Sequence, residues 1–134
     1  MKYILDTGVI ASSRRADRAP RLAAWLKARH EEELFLSVVS ISEIALGIHL
    51  QEAKDPDAAG DLRRWLERTV TVFADRVLAF SAQDAMVWGV LSARIGPGPA
   101  DLMIAAQALT RDAVVVTANG ADFARAGVRV FDPF

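Results

Sequence analysis

Four carboxylates stand where a short apolar run gives way or where a helix begins. Asp6 follows Tyr3-Ile4-Leu5, Glu43 follows Leu34–Val38, Asp101 follows Gly96-Pro97-Gly98-Pro99, and Asp122 follows Ala113–Val116. Thr7, Thr117 and Asn119 accompany them. Carboxylates brought together repel one another and take up protons unless a cation compensates. An all-oxygen set suits Mg²⁺ or Mn²⁺, hard ions that retain water ligands. Such a site lowers the pKa of a bound water and offsets charge on a phosphate, so the chemistry indicated is metal-assisted phosphodiester hydrolysis.

Each of these residues also has a purely structural use. Asp6 can cap a helix after the first strand. Ser40 and Glu43 fit a capping box, serine at the cap and glutamate three residues on. Asp101 fits a helix cap or first-turn acid, and Asn119 and Asp122 fit a turn and its cap. Singly, the structural readings are the stronger. Jointly they weaken, because caps scatter over both ends of a sheet and these acids all fall at one. Other chemistries fail. The chain has no cysteine, which excludes thiolate metal sites, disulfides and a cysteine nucleophile. His30 and His49 lack partners at ligand spacing. No nucleophile elbow, phosphate-binding glycine loop or dinucleotide fingerprint is present. Trp25, Trp65 and Trp88 lie in helical patterns, where packing is the better reading than base stacking.

The elements that must position the acids follow from the periodicity. Tyr3–Leu5, Leu34–Val38, Arg76–Phe80, Ala113–Val116 and Val128–Phe131 read as short buried strands. Leu22, Trp25 and Leu26 mark a short helix, with Ser12–Pro20 before it read as loop or frayed helix end and Glu31–Glu33 after it as a solvated helix end. A second helix opens at Ser40 and carries Ile41, Ile44, Ala45 and Ile48 on one face. Leu62, Trp65, Leu66, Thr69, Val70 and Phe73 define a long helix after the break at Asp55-Pro56-Asp57. Ala82, Ala85, Met86, Gly89, Val90 and Ala93 form the next helical face, and Gly96–Pro99 is a tight loop. Asp101 opens a helix with Leu102, Ala105, Ala106 and Leu109 inward. Strands alternating with helices predict a parallel sheet covered on both faces, an α/β sandwich. Its ligands would bind beyond the carboxyl ends of the strands, where the acids are.

Composition bounds the rest. At 134 residues the expectation is one domain spanning 1–134, large enough to fold without disulfide or zinc. With 52% hydrophobic residues and a net charge of -1, disorder is excluded. No window reaches the ~20 apolar residues of a membrane span. The early Asp6 does not fit a signal peptide, so cytoplasm is the expected location. Charge is uneven: residues 1–29 hold Lys2, Arg14, Arg15, Arg18, Arg21, Lys27 and Arg29 against Asp6 and Asp17, whereas residues 30–75 hold ten acids against four bases. The basic first quarter could face a polyanion, although solvated helix faces account for it equally well.

Taken in order, these blocks resemble the PIN-domain nucleases, the fold of VapC-type toxins of type II toxin–antitoxin systems, and within them a FitB-like branch. The matching pieces are Tyr3–Thr7, Leu36–Ile44, Pro99–Ala106, Val115–Phe123 and Val130–Phe134, with Gly47 in a turn region of the FitB-like kind. The resemblance implies a three-layer α/β/α sandwich with about five parallel strands. It implies an Mg²⁺-dependent endoribonuclease, Mn²⁺ being an alternative ion, that is dimeric and silenced by a cognate antitoxin. Asp6, Glu43 and Asp101 match the family's acids. The fourth position falls on Asn119 or on Asp122 before Phe123. Asp6 and Asp101 would hold the metal, with Glu43 and Asp122 completing the ring and Thr7, Thr117 and Asn119 orienting the ligands. Arg14, Arg15 and Arg18 are candidates for guiding the RNA backbone. Two departures stand out: Gly8 where the family usually has Asn, loosening the support of Asp6, and Ala118 where an Arg is common, removing a phosphate contact.

Two other readings compete with this one. A phospho-receiver domain pairs two acids after the first strand and needs a late lysine; here Asp6 stands alone and no lysine follows Lys54. A catalytically weak PIN module, touching DNA only through its antitoxin, is disfavoured by the intact acids.

Overall fold

The structure, a computed structural model, describes residues 1–96 and 100–134. The expected Gly96–Pro99 loop therefore lies, beyond Gly96, outside the described residues. Gly96 itself ends a helix with φ of 105°, a conformation that side chains rarely allow.

Strands β1 (Tyr3–Leu5), β2 (Leu34–Ser37), β3 (Val77–Leu78), β4 (Val114–Val116) and β5 (Val130–Phe131) form one parallel sheet in the order β3-β2-β1-β4-β5. The described helices are α1 (Thr7–Ser13), α2 (Pro20–Lys27), α3 (Val38–Glu52), α4 (Pro56–Phe73), α5 (Ala82–Ile95), α6 (Ala100–Arg111) and α7 (Gly120–Arg125). Glu31–Glu33 is one turn of 3₁₀ helix leading into β2.

Strand alternation divides the core. Ile4 and Val115 face Leu91, Leu102, Ile104 and Phe123 from α5, α6 and α7. Leu5, Leu34, Leu36 and Val116 face Val9, Ile10 and Leu22 from α1 and α2, with Trp65 and Phe73 of α4 against them. Each such side chain, fully buried, contributes roughly 1.5–3 kcal/mol. Helices thus cover both faces, as the PIN-like α/β/α sandwich requires. The sheet extends from β1 through β2 to β3 on one side and through β4 to β5 on the other. The crevice between the ends of β1 and β4 is its topological switch point.

Several local readings of the sequence change. Arg76–Phe80 and Val128–Phe131, read as buried strands, narrow to the half-buried Val77–Leu78 and the exposed Val130–Phe131, edge strands paired on one side only, and Leu109, read as inward on α6, is exposed. Helix α3 starts at Val38, because the Ser37 hydroxyl caps it by accepting from Val39 N–H at 3.0 Å. Ser40 and Glu43 therefore form no capping box; Ser40 is buried inside the helix. The α5 face of Ala82, Ala85, Met86, Gly89, Val90 and Ala93 points outward, with Met86 69% and Val90 53% exposed. Its inner face carries Asp84, Val87, Trp88 and Leu91. Gly47 lies mid-helix in α3 rather than in a turn. Among the described residues, no helix is long and apolar enough to cross a membrane.

Candidate active site

Asp6 directly follows β1 and caps α1. Its Oδ1 accepts from Thr7 N–H at 2.8 Å and its Oδ2 from the Thr117 hydroxyl at 2.8 Å. Thr117, fully buried after β4, itself accepts from Asn119 N–H at 2.9 Å. One carboxylate is thus oriented from both strands of the switch point. Neither contact uses residue 8, and a Cβ added at Gly8 would meet nothing within 4 Å. The loosening of Asp6 expected from Gly8 has no counterpart in these contacts.

Glu43 is exposed on α3, one turn beyond Ser40. Thr7 Oγ1 donates to Glu43 Oε1 at 2.7 Å and is hydrogen-bonded to Ser40 Oγ at 2.8 Å. Threonine has one hydroxyl proton. When Thr7 spends it on Glu43, Ser40 must be the donor to Thr7.

Asp101 is the second residue of α6 and half-buried. The Asn119 amide donates to Asp122 Oδ2 at 2.8 Å and to Asp101 Oδ2 at 3.4 Å, one proton to each. Asn119 precedes α7 without capping it through its side chain, and Asp122 is exposed in the first turn. Burial first, then the charges of Asp6, Glu43 and Asp122, push the Asp101 carboxyl above its ordinary value, with Asn119 opposing. Asp6, Glu43 and Asp122 are therefore all near enough to act on Asp101.

This donor set fits a divalent metal. It is all oxygen, and Asp101 is driven toward protonation by burial and by its acidic neighbours, a cost that a cation offsets. Among the described residues no three acidic or histidine side chains meet as a ready-made metal cage. Mg²⁺ needs none, because it is usually held by one or two carboxylates and several waters.

The sequence did not single out the buried network beneath these acids. Gln107 of α6 is fully buried; its Oε1 accepts from Ser37 Oγ, and its Nε2 donates to the Leu78 and Ala79 carbonyls at 3.2 and 3.1 Å. It ties the helix of Asp101 to the cap of the helix of Glu43. Behind it Asp84, fully buried, accepts from Ser81 N–H at 2.8 Å, Thr110 Oγ1 at 2.6 Å and Arg111 at 2.8 and 3.1 Å. Burial alone would raise the Asp84 pKa, but Arg111, Thr110 and Ser81 together hold it well below the usual carboxylate range. The available signal was a glutamine among Leu102, Ile104, Ala105, Ala106 and Ala108 of a buried helix.

Arg14, Arg15 and Arg18 do not touch the acids. They line a groove of about 320 Å³, whereas Asp6, Gly8, Thr117, Ala118 and Asn119 line a second of about 250 Å³. Ser12 and Phe134 border both. His49 is exposed beside Glu52 at 3.6 Å and His30 is exposed, both away from the acids in the chain's surface helices and turns.

Comparison with known proteins gives a consistent picture. The PIN domain family pattern matches residues 3–128. The chain is 32% identical to the plasmid stability protein StbB of Pseudomonas syringae pv. tomato, across 98% of this chain and 97% of that protein. It is 29% identical to the toxin FitB of Neisseria gonorrhoeae across 98% and 97%, and 30% identical to the VapC ribonuclease Y4jK of Sinorhizobium fredii across 98% and 96%. The crystal structure of FitAcB from Neisseria gonorrhoeae superposes with a TM-score of 0.85 at 30% identity, covering 98% of this chain and 97% of that one.

Proposed function

The chain belongs to the PIN domain family, and from that premise we propose that it is the toxin of a type II toxin–antitoxin pair, an endoribonuclease cutting RNA with Mg²⁺ or Mn²⁺. The observation that carries this reading is the gathering of four carboxylates at the switch point, Asp6 and Glu43 both held by Thr7 and Asp101 and Asp122 both held by Asn119. Relatives named as toxin and ribonuclease support it.

In this reading Asp6 and Asp101 hold the metal, which when bound supplies an acidified water and charge stabilisation at the scissile phosphate. Thr7 N–H and Thr117 fix both oxygens of Asp6, so one lone pair on each remains for the ion. Glu43, held by Thr7, orients the attacking water and accepts its proton. Asp122 completes the acidic ring, and Asn119 keeps Asp101 and Asp122 from turning away. Arg14, Arg15 and Arg18 bring the RNA backbone to an otherwise acidic mouth.

We further propose that residues 1–134 make one PIN domain, that the protein works in the cytoplasm, and that it forms a homodimer silenced by a cognate antitoxin, through which alone it meets DNA. Trp65 and Phe73 are half-buried against the chain's own core and Leu66 is half-buried, so the dimer contact is to be sought among Leu46, Leu50, Met86 and Val90, each more than half exposed. Its solution mass at micromolar concentration tests this; a monomer rejects it. The central experiment is cleavage of single-stranded RNA with Mg²⁺, with EDTA, and by Asp101→Asn. Cleavage should require both the ion and Asp101. Undiminished cleavage in EDTA, or by the folded variant, would overturn the reading.

A further inference from the structure

Between the acidic groove and the arginine groove stands one aromatic ring. Phe134 borders both, and the ring is partly open to solvent, the residue being 42% exposed. Its backbone is nonetheless fixed: Phe134 N–H donates to Asp132 Oδ1 at 2.9 Å, Arg21 Nη1 donates to its carbonyl at 3.4 Å, and Pro133 before it is buried. A large apolar side chain held in place yet left exposed at the mouth of a site is poised for a ligand. On its far side, Arg14, Arg15 and Arg18 make no ion pair among the described residues. Ala118 supplies no cation to the acidic groove.

We infer that Phe134 is a stacking platform for the nucleobase next to the cut, with the adjoining phosphate held by Arg14, Arg15 and Arg18. This rests on the ribonuclease reading and adds to it a substrate subsite. With the scissile phosphate at Asp6, a substrate strand running on to the arginines passes the rim that Phe134 shares with Ser12. Every base has a flat face, so a ring at that crossing binds any single-stranded sequence. Paired bases are stacked on each other and unavailable, and the groove of about 320 Å³ is at the small end of ligand sites, so the subsite selects single strands. The arginines take over the phosphate contact that Ala118 lacks.

The test uses the full chain in EDTA, which prevents cleavage, with a short oligouridylate and the same sugar-phosphate strand lacking bases. Wild type should bind the oligouridylate more tightly. Phe134→Ala should weaken its binding roughly five- to 150-fold and bring the two strands to equal affinity, with unchanged salt dependence. Phe134→Tyr should restore the preference, and Phe134→Leu, equally apolar but not flat, should not. Arg14→Ala with Arg15→Ala should flatten the salt dependence and keep the preference. If wild type binds both strands equally, or a Phe134→Ala protein with wild-type melting keeps the preference, the stacking role is wrong and the ribonuclease reading stands. If wild type neither binds nor, with Mg²⁺, cleaves RNA, both fall.

Discussion

Replacing Gln107 by Leu removes three hydrogen bonds from a fully buried position while nearly preserving volume. The losses are unequal. The Ala79 carbonyl keeps Arg111 Nη2 at 3.3 Å. The Leu78 carbonyl and the Ser37 hydroxyl proton lose the partners that Gln107 provides. A buried polar group left unpaired costs about 1–3 kcal/mol. Burial of the leucine returns part of this, so the expected loss is about 2–4 kcal/mol, a large share of the ~5–15 kcal/mol that holds a domain together. For a chain of this size the melting temperature should fall by roughly 6–20 °C. Cleavage should suffer as well, at a temperature where the variant is still folded. Ser37 caps the helix of Glu43, and Gln107 rides on the helix of Asp101, so their relative placement loosens; misplacement of about 1 Å can cost ~100-fold in rate. Thermal melting by circular dichroism, with single-turnover cleavage of an RNA oligomer, checks both. A variant melting within ~3 °C of wild type would refute the reasoning.

Asp101→Asn should abolish cleavage and, in EDTA, raise the melting temperature. Because the folded carboxyl holds its proton more tightly than the unfolded one, its favourable contribution is complete at low pH and lost as pH rises through the raised pKa. The variant's advantage should therefore be absent in acid and present at neutral pH; melts as a function of pH that show no such growth would reject it. Mg²⁺ or Mn²⁺ should raise the wild-type melting temperature over that in EDTA, by mass action on the native state, and Asp6→Asn should shrink the difference; identical wild-type melts sink the metal site. Gly47→Ala, mid-helix with nothing within 4 Å of the added methyl, should stabilise by roughly 0.5–1 kcal/mol and leave cleavage unchanged, as urea denaturation and the same cleavage assay would report.

The sandwich, the inner strands β1, β2 and β4, and the meeting of the acids at one end of the sheet were legible because each depends on a strong local signal. Three to four apolar residues followed by Asp6, or by Thr117, mark a buried strand and its carboxyl end. Boundaries were less legible: Val38 is as apolar as its neighbours, and only the Ser37 cap takes it into α3. Helix α5 was misread by the same hydropathy that succeeds elsewhere. Asp84 scores as a surface residue, yet Arg111 and Thr110, distant in the chain, bring it inward and turn the apolar face of Met86 and Val90 out. Gln107 was missed for that reason too, since its partners are a serine and two backbone carbonyls that no spacing reveals.

The β1–β4 pairing has a consequence during synthesis. Asp6 emerges from the ribosome early, but the hydroxyl that aligns it belongs to Thr117, more than a hundred residues later by their numbering. Until Val114–Val116 is made, β1 can pair only with β2, and its other edge is bare. Asp101 likewise waits for Asn119. A chain ending between Asp101 and Val114 thus carries three of the four acids without the strand that aligns Asp6. A frameshift before β4 therefore leaves a fragment whose acids are not aligned, and the cluster comes into being only as the last crossover is made.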